Sequence, residues 1–215
     1  MNCFVTGTDT EVGKTWISVA LLRALAARGE RVIGMKPIAA GADPTPQGPR
    51  NADALALAAA STVPVPYELI NPYCLIDPIS PDIAASRAGI NIDIGTINEA
   101  YRQLARQADS VVVEGAGGWL VPINPRETLA DLARALGLPV VLVVGLRLGC
   151  VNHALLTAAA IRASGLPLLG WVGNQIDPAY AALAENLANL RLRIPAPQLG
   201  FAAFGERTPA LNLKS

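Results

Sequence analysis

The chain has 215 residues, 52% hydrophobic and 16% charged, with seventeen basic residues matched by seventeen acidic ones. That length suits one domain, 1–215, able to bury roughly 70% of its unfolded surface; so few charges, against a usual ~25%, suit a buried parallel sheet or an oligomer that hides surface. Balanced charge gives no surplus for nucleic acid or anionic lipid, and His153, the only histidine, excludes a multi-histidine metal centre.

In chain order, "CFVTG" (3–7) reads as a strand leading into a helix from about Gly13 to Arg28. "RVIGMKP" (31–37) is a second strand. The Pro-rich stretch 42–50 and the region 61–93 read as loops over the carboxyl end of a sheet. "SVVVEGAGG" (110–118) is a strand that stops at a glycine loop. "PVVLVVG" (139–145) is too apolar to face water on either side, and "LLGWVGNQ" (168–175) repeats the design. Helical patterns fill 95–107, 127–136, 151–164 and 178–190, and Gly29, Gly137 and Gly165 stand where C-terminal caps belong. Strands alternating with helices predict an α/β fold: a parallel sheet with helices on both faces.

Cys3, Cys74 and Cys150 are odd in number and widely spaced, without a C-x-x-C pair. That is the pattern of reduced thiols in a cytoplasmic protein. "NCFVTG" at the N-terminus has no signal-peptide pattern, and the apolar run 138–146 is too short to cross a bilayer as a helix.

Residues 4–15, "FVTGTDTEVGKT", end like a phosphate-binding loop, yet five residues, not four, separate Gly7 from Gly13. A glycine turn between strand and helix presents backbone N–H groups and a positive helix end to phosphate oxygens. Lys14 would then reach the β/γ-phosphates and the Thr15 hydroxyl would meet Mg²⁺. Thr8 in place of the usual first glycine restores the standard loop length.

Other segments offer partners, each with a plainer alternative. Lys36 ends the second strand, where open α/β sheets put their sites, and is either a solvated lysine or a substrate contact. Asp53 opens a helix in "NADALAL", where the helix dipole alone favours an acid. Glu114 sits at a strand's carboxyl end, where a buried acid needs a positive partner such as Mg²⁺. Asn174 is either a turn residue or an amide facing a purine edge. "LGCVNHA" resembles a helix start whose free N–H groups at 150–153 could hold a carboxylate, or be capped by Asn152. Trp16 and Trp171 read as core or interface aromatics.

With "FVTGTDTEVGKT", "KPIAAG", "RNADALAL", "NPY", "SPDIAA", "VVVEGAGGW", "LGCVNHALLT", "GWVGNQ" and "IPAPQLG" in this order from residue 4 to about 200, the chain resembles the dethiobiotin synthetases. Their extended phosphate loop matches the odd spacing here. The resemblance implies a P-loop NTPase-type sheet and ATP- and Mg²⁺-dependent closure of a cyclic urea on 7,8-diaminononanoate with CO₂, through a carbamate and a carbamic–phosphoric anhydride. It also implies a homodimer with the substrate across its interface.

Carried onto matching positions, the resemblance implies that Lys14 and Lys36 steady the carbamate and the leaving oxygens, with Thr10 meeting the diamine. Thr15, Asp53 and Glu114 would hold Mg²⁺. Glu11, Val12, Gly13, Lys14, Thr15 and Trp16, with Gly115, Ala116 and Gly117 of the "EGAG" turn, would wrap the phosphates. Asn174 and Gln175 would face the base, and Ala203, Phe204 and Gly205 would close over it. Gly149, Cys150, Val151 and Asn152 would hold the substrate carboxylate.

There are two departures: Ala40 lies where the family often has a serine, and Gln175 where some members have Asp. The competing reading is a partition or septum-positioning switch ATPase of the same fold. Those carry a second lysine near the front of the loop, but positions 8–12 here are Thr-Asp-Thr-Glu-Val. A corrinoid-type amidotransferase synthetase would need a further glutaminase domain, for which 215 residues leave no room.

Overall fold

In the computed structural model, residues 1–206 and 209–213 are described; 207–208 and 214–215, part of the domain 1–215 expected above, lie outside the described residues. Strand β1 (Cys3–Gly7) is buried throughout and feeds helix α1 (Lys14–Ala26) through the glycine loop. There follow β2 (Val32–Met35), β3 (Ile38–Ala40), α2 (Ala52–Ala60), α3 (Tyr67–Ile70), β4 (Tyr73–Leu75), α4 (Pro81–Arg87) and α5 (Ile94–Ala105). The second half adds β5 (Ser110–Gly118), α6 (Leu129–Leu136), β6 (Val140–Leu146), α7 (Cys150–Ala163), β7 (Leu168–Gln175), α8 (Leu183–Arg193) and β8 (Gln198–Ala202).

Six strands form one sheet in the order β2-β5-β1-β6-β7-β8, every pair parallel. Alternation along β1 explains why both faces are covered. Cys3 and Val5 point to one face, where Ile17, Leu21 and Leu25 of α1 and Leu57 of α2 pack on them. Phe4 points to the other, with Ile97 and Leu104 of α5, Leu132 of α6 and Ile161 of α7 in the same cluster. A strand buried on both faces must be apolar at consecutive positions, which is why β6 reads VVLVVGL. The strand order reverses at β1, which lies between β5 and β6, and a crevice for ligands opens at such a point beyond the strands' carboxyl ends.

Gly29, Gly137 and Gly165 take positive φ values of 84°, 64° and 81° just past α1, α6 and α7, as caps. The region 61–93, expected to be loop, instead holds α3, β4 and α4, and β4 pairs with β3 in a separate two-stranded parallel sheet. The last long helix begins at Leu183 and not at 178, because the Asp177 carboxylate takes the Ala179 N–H at 2.9 Å and holds a turn there. Among the described residues no helix is long and apolar enough to cross a membrane.

Candidate functional site

The loop after β1 is built tightly over its own first glycine. A Cβ on Gly7 would lie 2.6 Å from Val12 Cγ2, so a larger residue could not let the loop fold back. Gly13, the N-cap of α1, takes φ 85°, and a Cβ there would lie 2.2 Å from Asn174 Nδ2. Asn174 itself donates that amide to the Val12 carbonyl at 2.9 Å, which pins the loop to the end of β7. At the front, Arg147 pairs with Asp9 at 2.6 Å, tying the loop to the segment after β6.

Lys14 curls back to donate to the Asp9 carbonyl at 3.0 Å and is buried. Burial, and then the nearby Lys36 charge, pull its ammonium down to about 8, against partial compensation from Glu114, Asp53 and Asp9. Lys36 ends the run begun by β2 and is also buried. Its Nζ donates to Glu114 Oε1 at 2.6 Å, Asp53 Oδ2 at 3.1 Å and the Gly115 carbonyl at 3.1 Å. Burial pulls the Lys36 ammonium down, but the Glu114 and Asp53 carboxylates outweigh it and leave the group raised. Burial likewise raises Asp53, but the Lys36 ammonium opposite holds it below the ordinary carboxylate value.

Glu114 lies on β5 with no exposed surface. Its Oε1 accepts from Lys36 and, at 2.8 Å, from the Thr15 hydroxyl; its Oε2 has no partner. An unpartnered buried carboxylate oxygen beside a hydroxyl and a second carboxylate is a donor set that suits Mg²⁺. Among the described residues no group of three or more His, Cys, Asp or Glu could cage an ion alone. Mg²⁺ is commonly held by one or two carboxylates plus substrate phosphates.

Lys14, Thr15, Lys36 and Asp53 open into a cleft of about 800 Å³, while Glu114 is buried outside its lining. Thr10, Glu11, Gly13, Lys14 and Thr15 form one wall, and Lys36 and Asp53 line the cleft with Ala39, Ala40 and Asn51. Ala116, Gly117 and Val121 close one side, and Pro78, Ile79, Ser80 and Pro81 give it a largely apolar end. Glu11 takes φ 59°, a left-handed conformation uncommon outside glycine.

Several expected residues lie outside this lining. Val12 is buried beneath the loop, and Trp16 is 37% exposed on α1 while Trp171 is buried in the core. Asn174 and Gln175 end β7 behind Gly13. Gln175 is engaged with the chain, accepting from the Phe204 N–H at 3.4 Å and donating to the Asp177 carbonyl at 3.3 Å, which brings Ala203, Phe204 and Gly205 beside it. Gly149, Cys150, Val151 and Asn152 begin α7 and line no part of the cleft. Cys150 is buried near the Tyr180 hydroxyl, whereas Asn152 is exposed.

Sequence reasoning assigned no role to Asn51 or to the 78–81 wall. Asn51 caps α2, accepting the Asp53 and Ala54 N–H groups at 3.0 and 3.3 Å. The signal was present in "RNADALAL", an asparagine directly ahead of an Ala-rich helical run. The 78–81 wall has no such signal, since prolines there equally mark an ordinary loop.

Residues 1–201 match a family described as an AAA domain. The chain is 53% identical over 212 residues to the ATP-dependent dethiobiotin synthetase BioD of Nitrosospira multiformis, covering 99% of this chain and 92% of that one. It is 56% identical over 197 residues to the protein of the same name from Cellvibrio japonicus, covering 92% and 86%. The one from Pseudomonas aeruginosa is 54% identical over 209 residues, covering 96% and 92%. In fold the chain is similar to the chloroplast FtsY of Physcomitrella patens, with TM-score 0.58 and 17% identity, over 98% of this chain and 61% of that one. It is likewise similar to a chain of the MinC:MinD cell division complex of Aquifex aeolicus, with TM-score 0.57 and 15% identity, over 93% and 80%. At those identities the likeness concerns the fold alone.

Proposed function

Since the chain belongs to the ATP-dependent dethiobiotin synthetase family, and is thereby an ATP-using ligase of biotin synthesis, we propose that it closes the cyclic urea of 7,8-diaminononanoate with CO₂. One amine of the diamine adds to CO₂ and loses a proton, giving a carbamate. A carbamate oxygen forms a bond to the γ-phosphorus of ATP as the bond to ADP breaks. The second amine then attacks the carbonyl carbon, the C–O bond to phosphate breaks, and the amine proton is released.

The observation that carries this reading is that Lys14, Thr15, Lys36 and Asp53 line one cleft, with the buried Glu114 bonded to Thr15 and Lys36 behind them. Phosphoryl transfer asks a protein mainly for positioning and for fixed positive charge near the equatorial and leaving oxygens. Lys14, on the loop, neutralises the β/γ-phosphates; Lys36, anchored from the opposite strand, faces the carbamate. The N–H groups of residues 11–16 and of the 114–117 turn cradle the phosphates. Thr15, Asp53 and Glu114 would hold Mg²⁺, which supplies charge neutralisation between phosphate oxygens when bound. Asn174, with the 203–205 loop that Gln175 supports, faces the base. The apolar end at Pro78–Pro81 suits a methylene chain, and Ala40 donates no hydroxyl bond there, so the carbamate relies on Lys36 and Thr10.

The substrate carboxylate needs its own anchor. We assign it to Gly149–Asn152 of a second copy of the chain, because this helix start lies off the cleft of its own subunit. Leu148 and Leu156, 89% and 62% exposed beside it, are the kind of apolar surface an interface covers. The whole span 1–215 acts as one unit in this reading, and three unpaired thiols suit a cytoplasmic setting.

A carbon-labelled bicarbonate experiment tests the reaction. Incubation with ATP, Mg²⁺ and the diamine is expected to give a product carrying one labelled carbon, read by mass spectrometry. ATP consumption with no label in the diamine product would overturn the assignment.

A further inference from the structure

Beneath the cleft, the tyrosine at the start of α3 joins two parts of the site that are remote in sequence. The Tyr67 hydroxyl accepts the Asn51 backbone N–H at 2.9 Å and donates to Asn71 Oδ1 at 3.1 Å. Each partner leads to a charged group. Asn51 caps α2, which carries Asp53 in its first turn, and its Nδ2 donates to the carbonyls of Ala40 and Gly41, both at 3.3 Å. Asn71 donates from Nδ2 to the Lys36 carbonyl at 2.7 Å, while the Lys36 N–H donates to Ile70 at 2.8 Å, so the Lys36 backbone is clamped on both sides. The two asparagines are only 6% and 3% exposed. The ring itself is fixed by the Arg50 guanidinium, 4.2 Å from its centre.

We propose that the Tyr67 hydroxyl is a positioning group that sets the spacing between Lys36 and Asp53, and so aims the Lys36 ammonium at the reacting carbamate. The inference rests on the reading of Lys36 and Asp53 as site residues. Among the described residues, the only other contact of the Tyr67 hydroxyl is a 3.7 Å one with Cys74 Sγ. Burial pushes the phenol up to about 12, so the hydroxyl keeps its proton, and its donation to Asn71, throughout the neutral range. Buried hydrogen-bonding groups in a linked network resist independent movement, because leaving one unpaired costs its full desolvation.

Tyr67→Phe keeps the ring and its stacking and deletes only the link. Tyr73→Phe is the matched control, since the Tyr73 hydroxyl accepts the N–H of Asp93, the N-cap of α5, at 3.0 Å away from the cleft. The assays are ATP turnover well below each variant's melting midpoint and the side-chain nitrogen resonance of Lys36. For Tyr67→Phe we expect kcat to fall roughly tenfold, less than the 10²-fold that a 1 Å misplacement costs, with KM for ATP within twofold of the parent and a shifted Lys36 resonance. Tyr73→Phe is expected to leave kcat and the resonance unchanged. Parental kcat and an unmoved resonance in Tyr67→Phe, or equal losses in both variants, would overturn the proposal. If Tyr67→Phe does not fold, Asn71→Ser cuts the link from the other end and is read in the same way. A wild-type chain inactive with diamine would instead refute the reaction, leaving the resonance to decide the positioning role.

Discussion

Lys14 and Lys36 are both buried cations, yet their surroundings push them in opposite directions. Lys14 has a carbonyl for its partner and is pulled down, whereas Lys36 faces two carboxylates and is raised. Among the described residues Lys14 has no carboxylate in direct contact, the state suited to receiving phosphate. Lys14→Ala is expected to lower phosphate release on the order of 10²–10³, as loss of a preorganised electrostatic stabiliser does. Near-normal turnover would remove the loop from the chemistry. Gly13→Ala tests the same loop sterically. Alanine would have to hold the left-handed backbone of Gly13, at a cost of about 1–2 kcal/mol, and its Cβ would collide with the Asn174 amide. Calorimetry is expected to show weakened ATP binding along with a lower melting midpoint. Lys36 and Glu114 were legible in the sequence because each stands at the end of an apolar run, Lys14 because it follows the glycine loop, and Asp53 because it opens a helical run. The capping role of Asn51 had a signal in the sequence, but the link through Tyr67 and Asn71 emerged only in three dimensions, since the Tyr67 hydroxyl joins residues 16 and 4 positions away along the chain.

Among elements, β2 and β5 start in register because Arg31 and Asp109 clasp each other. The guanidinium donates to both carboxylate oxygens, at 2.8 and 3.2 Å, and the Arg31 N–H adds a third bond at 2.9 Å. These bonds from the Arg31 side chain and backbone hold the Asp109 carboxyl down at about 2. A depressed folded value means that the stabilisation is present above the unfolded carboxylate range and is lost as pH falls towards 2. Melting curves of Asp109→Asn are accordingly expected to lie below the parent at pH 7 and to converge with it near pH 2. A gap of constant size across that range would refute the linkage. Long elements were legible here because β6 and α7 carry patterns many residues long. The short α3, β3, β4 and α4 were not, because three to seven residues are too few to show a period, and the prolines among them also mark loops. Strand β8 begins inside "IPAPQLG", where two prolines precede Gln198, the first of the four residues that pair with β7.

At the scale of the whole molecule, the cleft supplies a phosphate loop, a site suited to a metal and an apolar end, but among the described residues no arginine or lysine lines that end for a distant carboxylate. The Gly149–Asn152 helix start of a partner subunit would supply N–H groups and a positive dipole end, worth about 0.3–2 kcal/mol. The methyl ester of diaminononanoate is therefore expected to bind more weakly than the acid while ATP affinity holds, and sedimentation is expected to show a dimer. Equal binding of ester and acid, or full activity of a monomer, would contradict the shared site. The fold by itself does not decide the function, since similar sheets occur in FtsY and MinD. The switch-ATPase alternative and the synthetase differ in what ATP turnover requires. The most direct measurement is phosphate release with ATP, Mg²⁺, bicarbonate and diaminononanoate, leaving out one component at a time. Omission of any one of the four is expected to abolish release; continued release without the diamine would refute the synthetase reaction.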